Sequence, residues 1–284
     1  MAIFYNQATL SYNDTVTNSN IVTGEITETL TVTKTALNDT YTAGDTVTYV
    51  VSLINTGATA LTGVTVTDDL GAYPFGGGTL TPLGYVAGTA QQFVNGDITA
   101  APSVTAGTPL VISGITVPAG GNVIVIYQAR ANEYAPLGAD AAITNTVSVT
   151  ADGLTSPVTA QETVTADTGA ALTITKSLSP EVVAPNGELT YTFTIQNIGN
   201  TPITAADDAF VTDLFDPVLD ITAVTFNGTA WTEPANYTYN ETTGLFRTNE
   251  GSITVPAATY SQDTATGAWI IDPGVSVLRV TGRV

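Results

Sequence analysis

F-Y-N-Q-A-T-L-S-Y occupies residues 4–12, and a stretch of the same design, I-T-N-T-V-S-V-T, occupies residues 143–150. In both, an Asn stands among alternating apolar and polar residues, the pattern of a β-strand with one face in a core. Each stretch leads to a second strand that ends in Lys. Asn6 lies 28 positions before Lys34, the end of L-T-V-T-K, and Asn145 lies 31 before Lys176, the end of L-T-I-T-K. The repeat reads strand, linker, strand. A third copy of the Asn strand is expected after the second Lys unit, and the sequence reaches Val284 without it.

Working outward, the same alternation runs through the whole chain, as in V-T-V-T-D-D and T-I-T-K, and no segment sustains a 3.6-residue period. Residues 3–12 are expected to form one strand, with Phe4, Asn6, Ala8, Leu10 and Tyr12 on one face. Asn13–Asn20 reads as a polar, turn-rich linker. Strands follow at Leu30–Thr35, Thr46–Asn55 and Leu61–Asp68, separated by turns at A-G-D and N-T-G. A glycine-rich excursion covers Gly71–Gly88, and further strands lie near Gln91, Leu110, Val123 and Ile143. Asp152–Asp167 reads either as one more strand or as extended linker. The second unit begins at Leu172 and repeats the order: Leu189–Asn197, an N-I-G-N turn, and Val211–Asp213. Strands near Ile253, Trp269 and Val275–Val280 end it.

Seven or more short strands per unit predict an all-β chain of two immunoglobulin-like β-sandwiches in tandem. The expected division is 1–20 for an N-terminal strand and linker, 21–166 for a complete sandwich and 167–284 for a sandwich lacking its last strand. At 284 residues the chain is long enough for two cores.

Composition narrows the chemistry. Six basic residues against 25 acidic ones give a net charge of −19. Such a surface repels nucleic acid and anionic lipid, so neither is expected as a partner. With no Cys and no His, Ser-His-Asp and Cys-His triads are excluded, as are zinc or iron sites built on those ligands. No disulfide can brace the sandwiches. No apolar run approaches the length of a membrane span, and no secretory leader is recognisable at the N-terminus. Either a leader has been removed or the protein reaches the surface by another route.

Two stretches carry a resemblance. V-T-K-T-A…T-A-G-D-T-V-T-Y-V-V-S-L-I-N-T-G…V-T-V-T-D-D-L resembles the bacterial surface repeat known as conserved domain of unknown function eleven. I-T-K-S-L…N-G-E-L-T-Y-T-F-T-I-Q-N-I-G-N…V-T-D-L-F-D resembles a second copy, without the closing I-T-N-T strand. The resemblance implies kinship with Gram-positive adhesin and pilin modules, some of which form Lys–Asn isopeptide bonds beside a catalytic Asp.

The residues make a parallel case. Lys34 shares a strand face with Leu30 and Val32, and Lys176 with Leu172 and Ile174. Asp68 lines up with Val64 and Val66, Asp213 with Val211 and Phe215, and Asn145 with Ile143, Val147 and Val149. A charge on a buried face is costly, and burial drives Lys to lose its proton and Asp to gain one. A neutral amine is a nucleophile, and a protonated Asp polarises the Asn carbonyl; attack releases ammonia and leaves an amide. The chain's two lysines both stand at this position. The bland alternative is a buried Lys–Asp pair with Asn as an unreacted neighbour.

Asn145 lies 111 positions after Lys34 and 77 after Asp68, and the same steps from Lys176 and Asp213 reach 287 and 290. The expected partner for Lys176 and Asp213 is therefore Asn6 of another molecule. That strand would enter as a donor carrying Phe4, Asn6, Ala8, Leu10 and Tyr12. The predicted function is a structural subunit of an extracellular filament on a bacterial cell or spore surface. The subunit partners itself head to tail, with Lys34–Asn145 bonds within subunits and Lys176–Asn6 bonds between them. No cofactor or metal is expected, and no enzymatic activity beyond the self-catalysed bond.

The alternative is a monomeric surface adhesin that binds glycan or host protein through Gly71–Gly88 or through Trp231 and Tyr237. Asp207 and Asp208 make a poor acid–base couple for glycan chemistry, because neighbours on a strand face opposite ways. Calcium at Asp68 and Asp69, or at Asp207 and Asp208, has no spaced ligand loop behind it.

Overall fold

Alternation decides the local structure, and burial follows it residue by residue. The computed structural model describes residues 2–26 and 29–284. Thr46–Asn55 alternates Val47, Tyr49, Val51 and Leu53 inward, each fully buried, with polar or half-buried residues between them. Asn122–Ala131 does the same with Val123, Val125, Tyr127 and Ala129. The chain divides into two compact units. One holds the chain up to Asn132 together with Ile143–Val164; the other holds Glu133–Ala142 and Thr165–Val284.

The first unit is a two-sheet sandwich. One sheet runs, in spatial order, Asp97–Ile98, Gln91–Val94, Asn122–Ala131, Thr46–Asn55 and Leu30–Ala36, and Leu83–Tyr85 also pairs with Asn122–Ala131. The other runs Ser103–Thr105, Leu110–Val117, Leu61–Asp68, Ala142–Thr150, Val158–Ala166 and Thr40–Tyr41. The stretch left open as strand or linker after Asp152 is thus the strand Val158–Ala166, which flanks the Asn145 strand. Gly71–Gly88 contains a small hairpin, Tyr73–Phe75 with Gly78–Leu80. Gly76 and Gly77 turn it with φ of 56° and 83°, a left-handed path that glycine takes without strain.

The second unit has a five-stranded sheet in the order Leu172–Ser179, Glu188–Asn197, Gly274–Arg283, Asp220–Phe226, Thr229–Trp231. Its opposing sheet has three strands, Thr212–Leu214, Leu245–Thr248 and Tyr237–Asn240. Phe193, Ile195, Phe215, Phe246, Leu278 and Val280 form the core between them. The strand expected near Ile253 is instead one isolated bridge between Ile203 and Val255. Glu133–Ala142, expected within the first domain, packs with the second unit, where the Trp269 backbone N–H donates to the Glu133 carbonyl at 2.8 Å.

The N-terminus departs most from expectation. Residues 3–12 form two strands, Ala2–Asn6 and Thr9–Tyr12, rather than one. Asn13–Asn20 is not a linker. It turns at Asn13 and Asp14, with φ of 43° and 63°, and returns as Thr15–Asn18, followed by Val22–Ile26. Two successive left-handed residues give the hairpin turn whose twist suits the flanking strands, and Asn and Asp tolerate that conformation. Thr15–Asn18 pairs with Thr9–Tyr12, and Val22–Ile26 with Ala2–Asn6. The Ser19 N–H donates to the Ala8 carbonyl at 2.9 Å and the Ala8 N–H to the Ser19 hydroxyl at 3.0 Å, which carries the pairing across the break. The result is a two-stranded arm on which Phe4, Tyr5, Leu10, Tyr12, Val16 and Val22 are all exposed.

Candidate functional site

The first cluster forms where the two sheets of the first unit face each other. Lys34 comes from the edge strand of one sheet, Asp68 from the centre of the other, and their side chains meet with Nζ to Oδ2 at 2.8 Å, both fully buried. Desolvation pulls the Lys34 ammonium below its usual value, against the attraction of Asp68. Desolvation likewise pushes the Asp68 carboxyl up, against Lys34 and the Leu70 backbone N–H that donates to it at 2.7 Å. Both displacements favour a neutral amine beside a neutral acid.

Asn145 completes the cluster. Val147 pairs directly with Asp68, so Asn145, two residues earlier on the same face, enters the same layer of the core. Asn145 is fully buried, and neither amide atom has a hydrogen bond of good geometry. A buried primary amide left unpaired is costly, and it is the group that attack by an amine would consume.

Two tyrosines, missed in the sequence, frame the three residues. The Lys34 ammonium lies 4.7 Å from the Tyr49 ring centroid, and Asn145 sits beside the Tyr49 hydroxyl. The Tyr127 hydroxyl donates to Asp68 Oδ2. Tyr127 was legible as an inward position between Val125 and Ala129, but nothing in the sequence tied its hydroxyl to Asp68. Asp69, weighed as a calcium ligand, accepts instead from the backbone N–H groups of Gly71 and Thr146, both at 2.9 Å.

The second cluster repeats the first without its cover. Lys176 follows Lys34 by 142 positions, and residues 172–199 align with 30–57 at that offset without a gap. Asn55 and Asn197 fall together and are used alike. Asn55 is buried, donates to the Thr59 and Pro118 carbonyls and accepts from the Gly57 N–H. Asn197 is buried, donates to the Thr201 and Pro256 carbonyls and accepts from the Gly199 N–H. Tyr49 corresponds to Tyr191, whose ring centroid lies 4.3 Å from the Lys176 ammonium. Phe193 and Phe215 flank the same ammonium at 5.5 and 5.4 Å. Lys176 is ion-paired with Asp213.

The environments differ. The Lys34 and Asp68 side chains are 0% exposed, those of Lys176 and Asp213 39% and 17%. The strand Leu30–Ala36 alternates buried and exposed, whereas in Leu172–Ser179 Leu172, Ile174 and Lys176 are all exposed. Asn6, expected to serve Lys176, is exposed on the arm and joins neither cluster. Of the donor-face residues, Phe4, Leu10 and Tyr12 are 51%, 61% and 55% exposed.

Trp231, Tyr237 and Asp207 are engaged within the second unit. Trp231 stacks on Phe226 at 4.8 Å, and Tyr237 is buried against Phe246 at 5.2 Å. Asp207 and Asp208 lie in and after a single 3-10 turn, Ala205–Asp207, rather than on a strand. Asp207 accepts from the Thr204 N–H and hydroxyl, which hold its carboxyl below the usual range. Among the described residues, no three acidic side chains gather as a metal site and no helix is long and apolar enough to cross a membrane.

Fold and site together define an all-β chain of tandem immunoglobulin-like sandwiches with a buried Lys–Asp pair beside an Asn in the first. Solved structures similar to it include the pilus backbone protein of Streptococcus pneumoniae (13% identity over 86% of this chain and 55% of that one, TM-score 0.35). A major pilin variant from Bacillus cereus is similar at 11% identity over 96% of this chain and 73% of that one, TM-score 0.37. The collagen adhesin of Staphylococcus aureus is similar at 11% identity over 53% of this chain and 55% of that one, TM-score 0.32. The chain spans about half the length of the pneumococcal protein. These are likenesses of fold, and they assign no residue. No protein-family model and no curated protein matches the chain, so the surface-repeat resemblance rests on the quoted residues alone.

Proposed function

We propose that the chain is the structural subunit of a self-assembling extracellular filament, on a bacterial cell or spore surface. In this reading the N-terminal arm of one copy completes the open second unit of the next. One observation carries it: positions that are buried on the Lys34 strand of the first unit lie bare on the Lys176 strand of the second. Leu30 and Val32 are 3% and 8% exposed, while Leu172 and Ile174 are 43% and 54% exposed.

The first unit supplies the template for the joint. There Val147 pairs with Asp68 and Asn145 stands two residues earlier. Setting Ala8 against Asp213 in the same way puts Asn6 beside Lys176 and turns Phe4 and Leu10 onto the bare face. Burying those side chains removes about 300 Å² of apolar surface, worth roughly 7 kcal/mol before ordering costs. Because donor and acceptor are different surfaces, the contact repeats head to tail and builds a filament or ring rather than a dimer.

Each joint then holds a Lys, an Asp and an Asn in the arrangement of the first unit. Lys176 Nζ attacks the Asn6 side-chain carbonyl, Asp213 shuttles the proton, and ammonia leaves as the amide forms. Within each subunit Lys34 and Asn145 react the same way beside Asp68. Negative-stain microscopy of the purified protein tests the reading: filaments or rings support it, and a field of single particles refutes it.

A further inference from the structure

The first unit shows how much of the second is bare. Its Asp68 strand has the Asn145 strand on one side, and beyond that lie Val158–Ala166 and then Thr40–Tyr41. In the second unit the corresponding Asp213 strand ends its sheet, with Leu245–Thr248 on its other side. The unpaired region is therefore two strands wide. The counterpart of Thr40–Tyr41, at the offset of 142, is Val182–Val183. Tyr41 is 1% exposed, whereas its counterpart Val183 is half-buried; Val182 answers to Thr40, and both are exposed. A single donor strand would leave its own outer edge unpaired and would not reach Val182–Val183.

The arm has the matching width. Its two strands pair as antiparallel neighbours, with Asn6 opposite Val22 and Leu10 opposite Thr17. The register changes by one residue between those pairs, a bulge on the returning strand. Opposed residues share a face, so Phe4, Asn6, Leu10 and Tyr12 lie on one side of the ribbon with Val22 and Gly24. In the first unit the two strands in question are likewise antiparallel neighbours, joined where the Thr144 and Thr163 hydroxyls meet at 2.9 Å.

We infer that the donor is the whole hairpin Ala2–Ile26 of a second copy. Its first strand lies along Thr212–Leu214, and its returning strand lies between the first and Val182–Val183. This rests on the proposed donor reading and adds a second acceptor surface to it. A preformed ribbon keeps its own hydrogen bonds on entry, so only its two outer edges exchange water for protein.

Hydrogen exchange on the full chain, as monomer and as assembled fibre, tests it. Amides of Thr212–Leu214 and of Val182–Val183 should both gain protection on assembly. Protection at Thr212–Leu214 alone overturns the hairpin and leaves a single donor strand. Protection at neither overturns the donor reading itself. A variant of the full chain gives the second measurement: Thr17→Pro should slow assembly about tenfold, as Leu10→Asp should. Assembly impaired by Leu10→Asp but untouched by Thr17→Pro again excludes the hairpin. Assembly indifferent to Leu10→Asp excludes the arm.

Discussion

Leu30 and Leu172 occupy the same place in equivalent strands, four residues before the lysine, yet Leu30 is 3% exposed and Leu172 43%. The same side chain is core in one unit and surface in the other. The two positions should therefore answer truncation differently. Leu30→Ala should cost the first unit about 2–5 kcal/mol through lost burial and a cavity. Leu172→Ala should leave the melting of a monomer, held as such by Leu10→Asp, nearly unchanged, and should weaken assembly of the otherwise wild-type chain. Equal thermal losses at both sites would mean that the second unit covers its own face.

The buried triad makes a prediction about mass. The carboxyl of Asp68 and the amine of Lys34 are both displaced toward neutrality by burial, and the Asn145 amide beside them is unpaired. Intact mass of the Leu10→Asp monomer should be about 17 Da below that of its sequence, one ammonia for one bond. Asp68→Ala should restore the missing mass while the sandwich still folds. An unmodified mass in the parent would leave a buried ion pair and no reaction.

How far the sequence carried the reading depends on what each residue answers to. Lys34, Asp68 and Asn145 were found because strand alternation fixes a face, and a face that is otherwise Leu, Val and Ile exposes its one polar member. Thr46–Asn55 and Leu61–Asp68 came out to the residue for the same reason. The arm was misread because its returning strand, T-V-T-N and V-T-G-E-I, sets Val16 on one face and Val22 on the other, so no single apolar side stands out. A ribbon that packs on no core of its own leaves no burial pattern to read. The turn signal was present in Asn13–Asp14, but an N-D pair is a weaker hairpin mark than N-G. Tyr127 escaped because its hydroxyl acts across the sandwich, a contact that only the packing of two sheets creates.

The direction of the two displacements gives the unreacted cluster a distinctive response to pH. In Asn145→Ala no bond can form, so Lys34 and Asp68 stay titratable. Between the usual value of 3.8 and its raised value in the fold, Asp68 holds a proton that the unfolded chain has released, so stability falls as pH rises. Between its lowered value and 10.5, Lys34 has lost a proton that the unfolded chain keeps, so stability rises with pH. Asn145→Ala should therefore melt higher near about pH 5 than near about pH 7, beyond the general relief of charge repulsion. Asn145→Ala/Asp68→Asn supplies that background. The excess is read as the difference between the two variants in how far Tm falls from the lower pH to the higher. Parallel melting curves for the two variants would mean that Asp68 titrates as an ordinary carboxyl.

In the proposed joint, assembly and covalent locking are separable, because pairing of the arm with the second unit would not need the bond. Lys176 and Asp213 are already paired and ringed by Tyr191, Phe193 and Phe215, so the acceptor stands ready before any Asn arrives. Entry of the arm would cover the 39% of the Lys176 side chain now exposed and bring it toward the burial of Lys34. Full-length protein boiled in detergent should then run as a ladder of multimers rather than as one band near 29.2 kDa. Asn6→Ala, Lys176→Ala and Asp213→Ala should each collapse the ladder to that band, yet still sediment as fibres in native buffer. Lys34→Ala removes only the bond inside the subunit and should leave the ladder intact. Wild-type fibres that dissolve to monomer in hot detergent would exclude the Lys176–Asn6 bond, while leaving the arm in its groove. A ladder that survives Asn6→Ala would place the partner of Lys176 on some other side chain.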